Sequence, residues 1–212
     1  MPKRRRAGSL AGRIALLHAL AHIELNAVDL AWDMVARFAA LPSGVPLPRG
    51  FYDDWVMVAA EEAEHFALLS ARLGELGAAY GDLPAHDGLW EAAQKTAHDL
   101  AARLAVVPLV LEARGLDVTP QMESSLRRAG DMESAALLRR IHDDEVGHVA
   151  AGRRWFEAVC ADAGAEPAAA WQELVARLFK GALKRPFNDA SRAQAGMPPD
   201  WYEPLAGEAP AD

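Results

Sequence analysis

Asp144-Glu145-Val146-Gly147-His148 sets a glutamate three residues ahead of a histidine, and Glu62-Ala63-Glu64-His65 repeats the spacing earlier in the chain. On an α-helix, residues three apart lie on one face a turn apart. Each pair therefore aims a carboxylate and an imidazole at the same point. These are the only Glu-x-x-His matches in the sequence. Chance alone supplies about half of one in this composition, so the meaning of the pair rests on its surroundings.

Both pairs sit mid-way along apolar helical stripes. Trp55, Val58, Glu62, His65, Leu69 and Leu73 or Leu76 share one face of a helix predicted from Phe51 to Leu76. Leu138, Ile141, Glu145, His148, Gly152, Trp155 and Val159 do the same in a helix predicted from Met132 to Ala163. Two more glutamates interrupt apolar stripes. Glu24 is the one charge on Leu17, Ala21, Glu24, Val28, Ala31 and Val35, in a helix predicted from Ser9, its N-cap, to Ala40. Glu112 ends the stripe Ala101, Leu104 or Ala105, and Pro108, in a helix predicted from Leu89 to Arg114. Pro108 removes the donor to the Leu104 carbonyl and should kink that helix just before Glu112. Gly115 reads as its stop, with a short helix from Pro120 to Ala129 after it.

A lone carboxylate in a helical core is costly unless it is paired or bound to a metal. Glu24, Glu62, His65, Glu112, Glu145 and His148 are therefore the candidate metal ligands. One Glu from each of two helices, plus a Glu-x-x-His from each of two others, is the ligand set of ferritin-like dinuclear carboxylate bundles. The predicted fold is all-α: a ferritin-like four-helix bundle over residues 9–185, with an additional helix from Ala168 to Leu183. A disordered basic start (residues 1–8, with Lys3-Arg4-Arg5-Arg6) precedes it. A tail (186–212) comes after, whose Phe187, Trp201 and Tyr202 should pack on the bundle or on a second copy in a homodimer. Carboxylates and imidazoles suit two metal ions, iron foremost, with manganese or a mixed pair as alternatives; two zinc ions fit the ligand types but not the usual closed tetrahedral site. Without metal, repulsion and burial predict raised carboxylate pKa values and a weakened core.

Asp144 directly precedes Glu145. It either accepts a hydrogen bond from a ligand imidazole across the bundle or faces solvent. Glu61 and Glu64 fall off the stripe and either face solvent or back a ligand. His22 lies on the far side of its turn from Glu24, and His18, His86, His98 and His142 have no ligand-like spacing. No catalytic group beyond the ligands is identified.

The 212 residues carry a formal net charge of −8 with a pI near 5.4, which argues against a nucleic-acid surface. The exception would be a local patch of Arg127, Arg128, Arg139, Arg140, Arg153 and Arg154. Cys160 is the only cysteine, so no internal disulfide can form, and its apolar neighbours mark it as a packing residue in a reducing compartment. The apolar stretch Ile14 to Ile23 is too short to span a bilayer and no small-residue cleavage site comes after it. The expectation is a cytoplasmic protein with no membrane partner. No Gly-rich nucleotide loop, Ser-His-Asp set or Cys-x-x-Cys motif competes with the metal reading.

Four runs carry a family likeness: Ala21-His22-Ile23-Glu24-Leu25-Asn26-Ala27, Ala60-Glu61-Glu62-Ala63-Glu64-His65-Phe66, Leu111-Glu112-Ala113-Arg114-Gly115-Leu116-Asp117 and Asp143-Asp144-Glu145-Val146-Gly147-His148-Val149. Together with Pro186-Phe187-Asn188 and Ala195-Gly196, they resemble the domain of unknown function 455 family of ferritin-like proteins, from about Gly8 to Gly196. The resemblance implies a ferritin-like bundle with a dinuclear site on the six residues above. The family is also similar to ferritin-like hydroxylases that modify hypermodified adenosine in transfer RNA. The leading expectation is a di-iron or manganese/iron oxidoreductase that activates dioxygen or peroxide to oxidise or hydroxylate a small organic substrate, served by an electron donor. The alternatives are metal binding or peroxide detoxification without an organic substrate, a structural metal, and a tRNA-modifying hydroxylase, which the acidic charge disfavours.

Overall fold

Ser9 caps the first helix of the structure, a computed structural model that describes residues 8–86 and 88–207; the basic run at Lys3 to Arg6 lies outside them. The Ser9 hydroxyl accepts from the Gly12 N–H at 3.1 Å, satisfying one unpaired donor of α1 (Leu10–Arg37). Helix α1 stops short of Ala40 because Phe38 turns extended and Ala40 bridges Pro46 across the loop. Helix α2 (Arg49–Glu75) is next.

The helix predicted from Leu89 to Arg114 is two helices, and the second runs far past its predicted end. Helix α3 (Gly88–Lys95) ends early, and Asp99 caps α4 (Leu100–Val106) by accepting from the Ala102 N–H at 3.2 Å. A π-helical segment (Val107–Glu112) and α5 (Ala113–Arg128) continue α4 as one rod. The kink predicted at Pro108 is thus a widening: the Ala113 N–H reaches back to the Pro108 carbonyl, five residues away. Gly115 is not a stop, and no separate helix begins at Pro120, which lies inside α5. Proline there deprives the Leu116 carbonyl of its donor, and the Asn188 side-chain amide replaces it at 3.1 Å.

At the end of α5, Gly130 adopts φ +79° and the Asp131 N–H bonds the Leu126 carbonyl at 3.0 Å. The Asp131 carboxylate then caps α6 (Met132–Ala163) through the Ser134 N–H, also at 3.0 Å. Helix α7 (Pro167–Leu178) ends before the predicted Leu183, which instead donates its N–H to the Leu205 carbonyl at 2.9 Å. Short helices α8 (Asp189–Gln194) and α9 (Pro199–Tyr202) and a 3₁₀ turn (Glu203–Leu205) are the last elements among the described residues.

The protein is all-α; among the described residues no strand forms beyond two isolated bridges. Helices α1 and α2 pack antiparallel, since Glu24 meets His65 while Met34 shares a cluster with Phe51 and Trp55. The α4–α5 rod and α6 do likewise, with Pro108 against Gly152 at one end and Leu126 clustered with Ala135 at the other. The α2–α6 contact joins the two pairs, from Gly50 beside Trp155 to Arg72 on Ser134. One apolar cluster (Leu17, Ala21, Leu69, Leu73, Leu126, Leu138) fills one end, and a larger one (Met34, Phe51, Trp55, Leu104, Leu109, Phe156, Trp171) fills the other. The Glu-x-x-His positions fall between them.

Helix α1 is 28 residues long with mean hydropathy 1.4 over its most apolar 18 residues, enough by length and composition to cross a membrane; Ile14 to Ile23 is only part of it. It nonetheless buries His18 and Glu24 with Leu17 and Ala21 inside this fold. The segment after α7 lies on the helices. Arg192 pairs with buried Asp117 through two 2.8 Å bonds, and the Arg153 guanidinium sits 3.6 Å from the Trp201 ring centroid.

Candidate metal centre

All four rods send a glutamate to the middle of the protein, and α2 and α6 each add a histidine. The tightest group is Glu24, Glu62, His65 and Glu145, all buried, each offering a ligand atom within 4.8 Å of the others. His65 Nδ1 lies 3.4 Å from both Glu24 Oε2 and Glu62 Oε2. His148 joins through Nδ1, 3.1 Å from Glu62 Oε1 and 3.6 Å from Glu145 Oε2. Glu62 therefore stands between the two imidazoles, one oxygen toward each. Glu112 is not in the tightest group. It is partly exposed as a residue, but its Oε2 is buried, and the charges of Glu145 and Glu62 bear on it.

The far nitrogen of each ring is held from behind. His65 Nε2–H donates to Asp144 Oδ2 at 3.0 Å, and His148 Nε2–H donates to Glu61 Oε2 at 2.8 Å. Asp144 thus makes the hydrogen bond to an imidazole across the bundle, one of the two positions that sequence leaves open. Glu61 does the same for the other ring, a role that helical spacing alone does not assign. A signal is present nonetheless: Glu61 precedes Glu62 as Asp144 precedes Glu145, so both motifs read acid-Glu-x-x-His. Glu64 instead pairs with Arg140 at 2.7 Å. With Nε2–H committed to a carboxylate, a neutral imidazole carries its lone pair on Nδ1, facing the cluster.

The electrostatics arise from burial in so small a volume. Burial pushes Glu24 well above the usual carboxylate range, and the neighbouring charges of Glu62 and Glu145 add to it. Burial does the same to Glu112, reinforced by Glu145 and Glu62, and raises Glu145, reinforced by Glu62. Glu62 departs from the sequence expectation. Burial alone would raise it, but the neighbouring His148 and His65 imidazoles and the Glu24 carboxyl hold it well below the usual range. Burial opposes charge on His65, yet Glu24, Glu62 and Asp144 bring it up to about 10; Glu145 and Glu62 likewise raise His148 well above its ordinary value.

The donor set suits divalent cations. Glu62 Oε1, Glu112 Oε2, Glu145 Oε2 and His148 Nδ1 are all buried without a hydrogen-bond partner; the 3.1 Å approach between Glu62 and His148 is not aligned as one. Unsatisfied buried lone pairs cost stability, and several converging in one place are what a cation would satisfy.

His22 and His18 are engaged elsewhere. His22 contacts the Tyr80 hydroxyl at 2.9 Å and the His86 carbonyl at 2.7 Å, and buried His18 accepts from the Gly81 N–H at 2.9 Å. Of the six arginines singled out for nucleic acid, all but Arg128 sit against a carboxylate: Arg127 and Arg139 on Glu123, Arg140 on Glu64, Arg153 on Glu157 and Arg154 on Asp54.

Fold and site together define an all-helical protein with a buried carboxylate–histidine cluster spanning four helical rods. The chain belongs to the family described as protein of unknown function (DUF455), which it matches over residues 1–203. It is also similar to an uncharacterized protein of Haemophilus influenzae, 42% identical over 192 residues; these cover 88% of this chain and 65% of the relative, so the chain spans just under two thirds of that protein. No solved structure matches.

Proposed function

We propose that the protein is a ferritin-like oxidoreductase with a dinuclear metal centre, most simply di-iron, with manganese/iron as the variant. The single observation that carries this is Glu62, one carboxylate oxygen turned to each of two imidazoles, amid three further buried carboxyls. Glu24, Glu62 and His65 would hold one ion, Glu112, Glu145 and His148 the other, with Glu62 and Glu145 reaching both. Two such ions would supply the redox chemistry by which dioxygen or peroxide oxidises or hydroxylates an organic substrate. The chain's residues do the rest. Asp144 and Glu61 fix ring orientation and keep Nδ1 toward the centre. The apolar clusters above and below exclude water, which strengthens every charge interaction between them. Glu24, Glu112 and Glu145, which the fold makes bind protons more tightly, would give those protons up as cations enter. The reading includes a cytoplasmic location, in keeping with one cysteine, Cys160, buried with its thiol pushed up to about 11.

The test is metal content by mass spectrometry on tag-free protein, beside Glu62→Ala and Glu145→Ala. About two irons or manganese ions per chain, lost in both variants, is the expected result, with a spectral change when the reduced protein meets oxygen. A folded chain that stays metal-free after reconstitution would overturn it.

A further inference from the structure

The two halves of the centre are built differently, an inference that rests on the dinuclear reading above. Glu24, Glu62 and His65 project from α1 and α2, which run without interruption. Glu112 instead ends the π-helical segment Val107–Glu112. A π-helical widening inserts one residue into the rod and turns the remainder of the rod by about 100°, the angular step of one α-helical residue. The position of the Glu112 carboxyl therefore depends on where that widening falls. Pro108, which cannot donate to the preceding turn, fixes it there.

What holds the widened segment against α6 is a glycine. Gly152 lies one turn beyond His148, and Pro108 one turn before Glu112. A Cβ built on Gly152 would meet Pro108 Cβ at 2.4 Å and Cγ at 2.6 Å, distances at which something must shift. The proline ring is tied to its own backbone, and neighbouring Leu109 is fully buried, so neither gives easily. Gly147, on the same helix, has nothing within 4 Å of the same built atom. Gly152 is thus tied to a close approach and Gly147 is not.

We propose that the Pro108–Gly152 contact is the positioning device for the second metal ion: it sets the separation at which Glu112 and His148 share one divalent cation, while Glu24, Glu62, His65 and Glu145 take the first cation without it. The ions load in that order, and a side chain at position 152 pushes the rod outward and empties the Glu112 half alone.

Anaerobic titration with iron(II) or manganese(II), with bound metal counted by mass spectrometry and helicity monitored by far-ultraviolet circular dichroism, tests this. Wild-type protein and Gly147→Ala should bind two ions. Gly152→Ala should keep its helicity and its first ion and bind the second about tenfold or more weakly. Should Gly152→Ala fail to fold, Pro108→Gly tests the same contact from the other side, because it removes the ring atoms that pack on Gly152 and returns the N–H donor whose absence fixes the widening. It is expected to keep the first ion and to bind the second about tenfold or more weakly. A Gly152→Ala or Pro108→Gly protein that binds two ions at wild-type affinity overturns the positioning role while leaving the dinuclear reading intact. A folded Gly152→Ala that loses both ions at once overturns the order of loading. Wild-type protein that binds none overturns both readings.

Discussion

His65 donates its Nε2–H to Asp144 at 3.0 Å, across 79 residues of chain. The relation is reciprocated, because His148 donates to Glu61 at 2.8 Å. The residue before each motif glutamate thus grips the imidazole of the other motif, and α2 and α6 support each other's histidine. Asp144→Ala should lower affinity for the ion beside His65 by about 10- to 100-fold with the helices intact, and Glu61→Ala should do so for the ion beside His148. Competition against a chelator of known affinity measures both. Unchanged affinities would reduce these contacts to ordinary surface hydrogen bonds.

Stability of the metal-free protein should fall at alkaline pH. His65, at about 10, and His148 bind their protons more tightly in the fold than at their ordinary value of 6.5, and Glu24, Glu112 and Glu145 more tightly than at 4.5. Stability from groups with raised pKa is complete below the unfolded value and is lost as pH rises through the folded one. Bound cations displace the same protons, so metal affinity should climb over the same range, from about pH 6.5 towards 10. Melting temperatures of chelated and manganese-loaded protein should therefore diverge as pH rises. A gap that narrows would contradict the assignment.

Asp117 anchors the C-terminal segment. It takes two bonds from Arg192 and one from the Asn188 N–H at 3.0 Å, with its side chain fully buried. Asp117→Ala leaves the buried Arg192 without its partner, a change that costs about 3–5 kcal/mol. Urea unfolding should show that loss, and limited proteolysis should cut first between Arg185 and Gly207. Resistance equal to wild type would place the anchor elsewhere, for instance on Trp201.

Helix α3 is clasped by one buried cation. Arg103, fully buried, donates to the Ala93 carbonyl at 2.7 Å and to Thr96 Oγ1 at 2.8 Å, and pairs with Asp33 at 2.5 Å. Arg103→Met keeps the bulk and removes every donor. Hydrogen exchange over residues 88–99 should accelerate while α6 remains protected. Equal acceleration in α6 would mean that Arg103 supports the whole bundle rather than this helix.

Part of this architecture is legible in the sequence, and physical reasons hide the rest. Glu62/His65 and Glu145/His148 are local patterns, and helical spacing alone puts each pair on one face. The six ligand candidates do converge on one region, and Asp144 reaches His65 as geometry allows. The role of Glu61 stays open on sequence because its partner lies 87 residues away, where no local periodicity reaches. The third rod misleads at its punctuation. Pro120 and Gly115 look like breakers, but the Leu116 carbonyl finds its donor in Asn188, 72 residues on. Pro108 announces a distortion, and only tertiary packing against Gly152 decides its form.

The span of the His65–Asp144 and His148–Glu61 contacts also orders events during synthesis. Helices α1 and α2 are neighbours in sequence and can pair as a hairpin while the ribosome is still at work, covering the apolar α1 early. The imidazole clasps cannot close until α6 has emerged. A cation held by all four rods would thus arrive only once every rod is in place, and its uptake would report that α6 had emerged and docked.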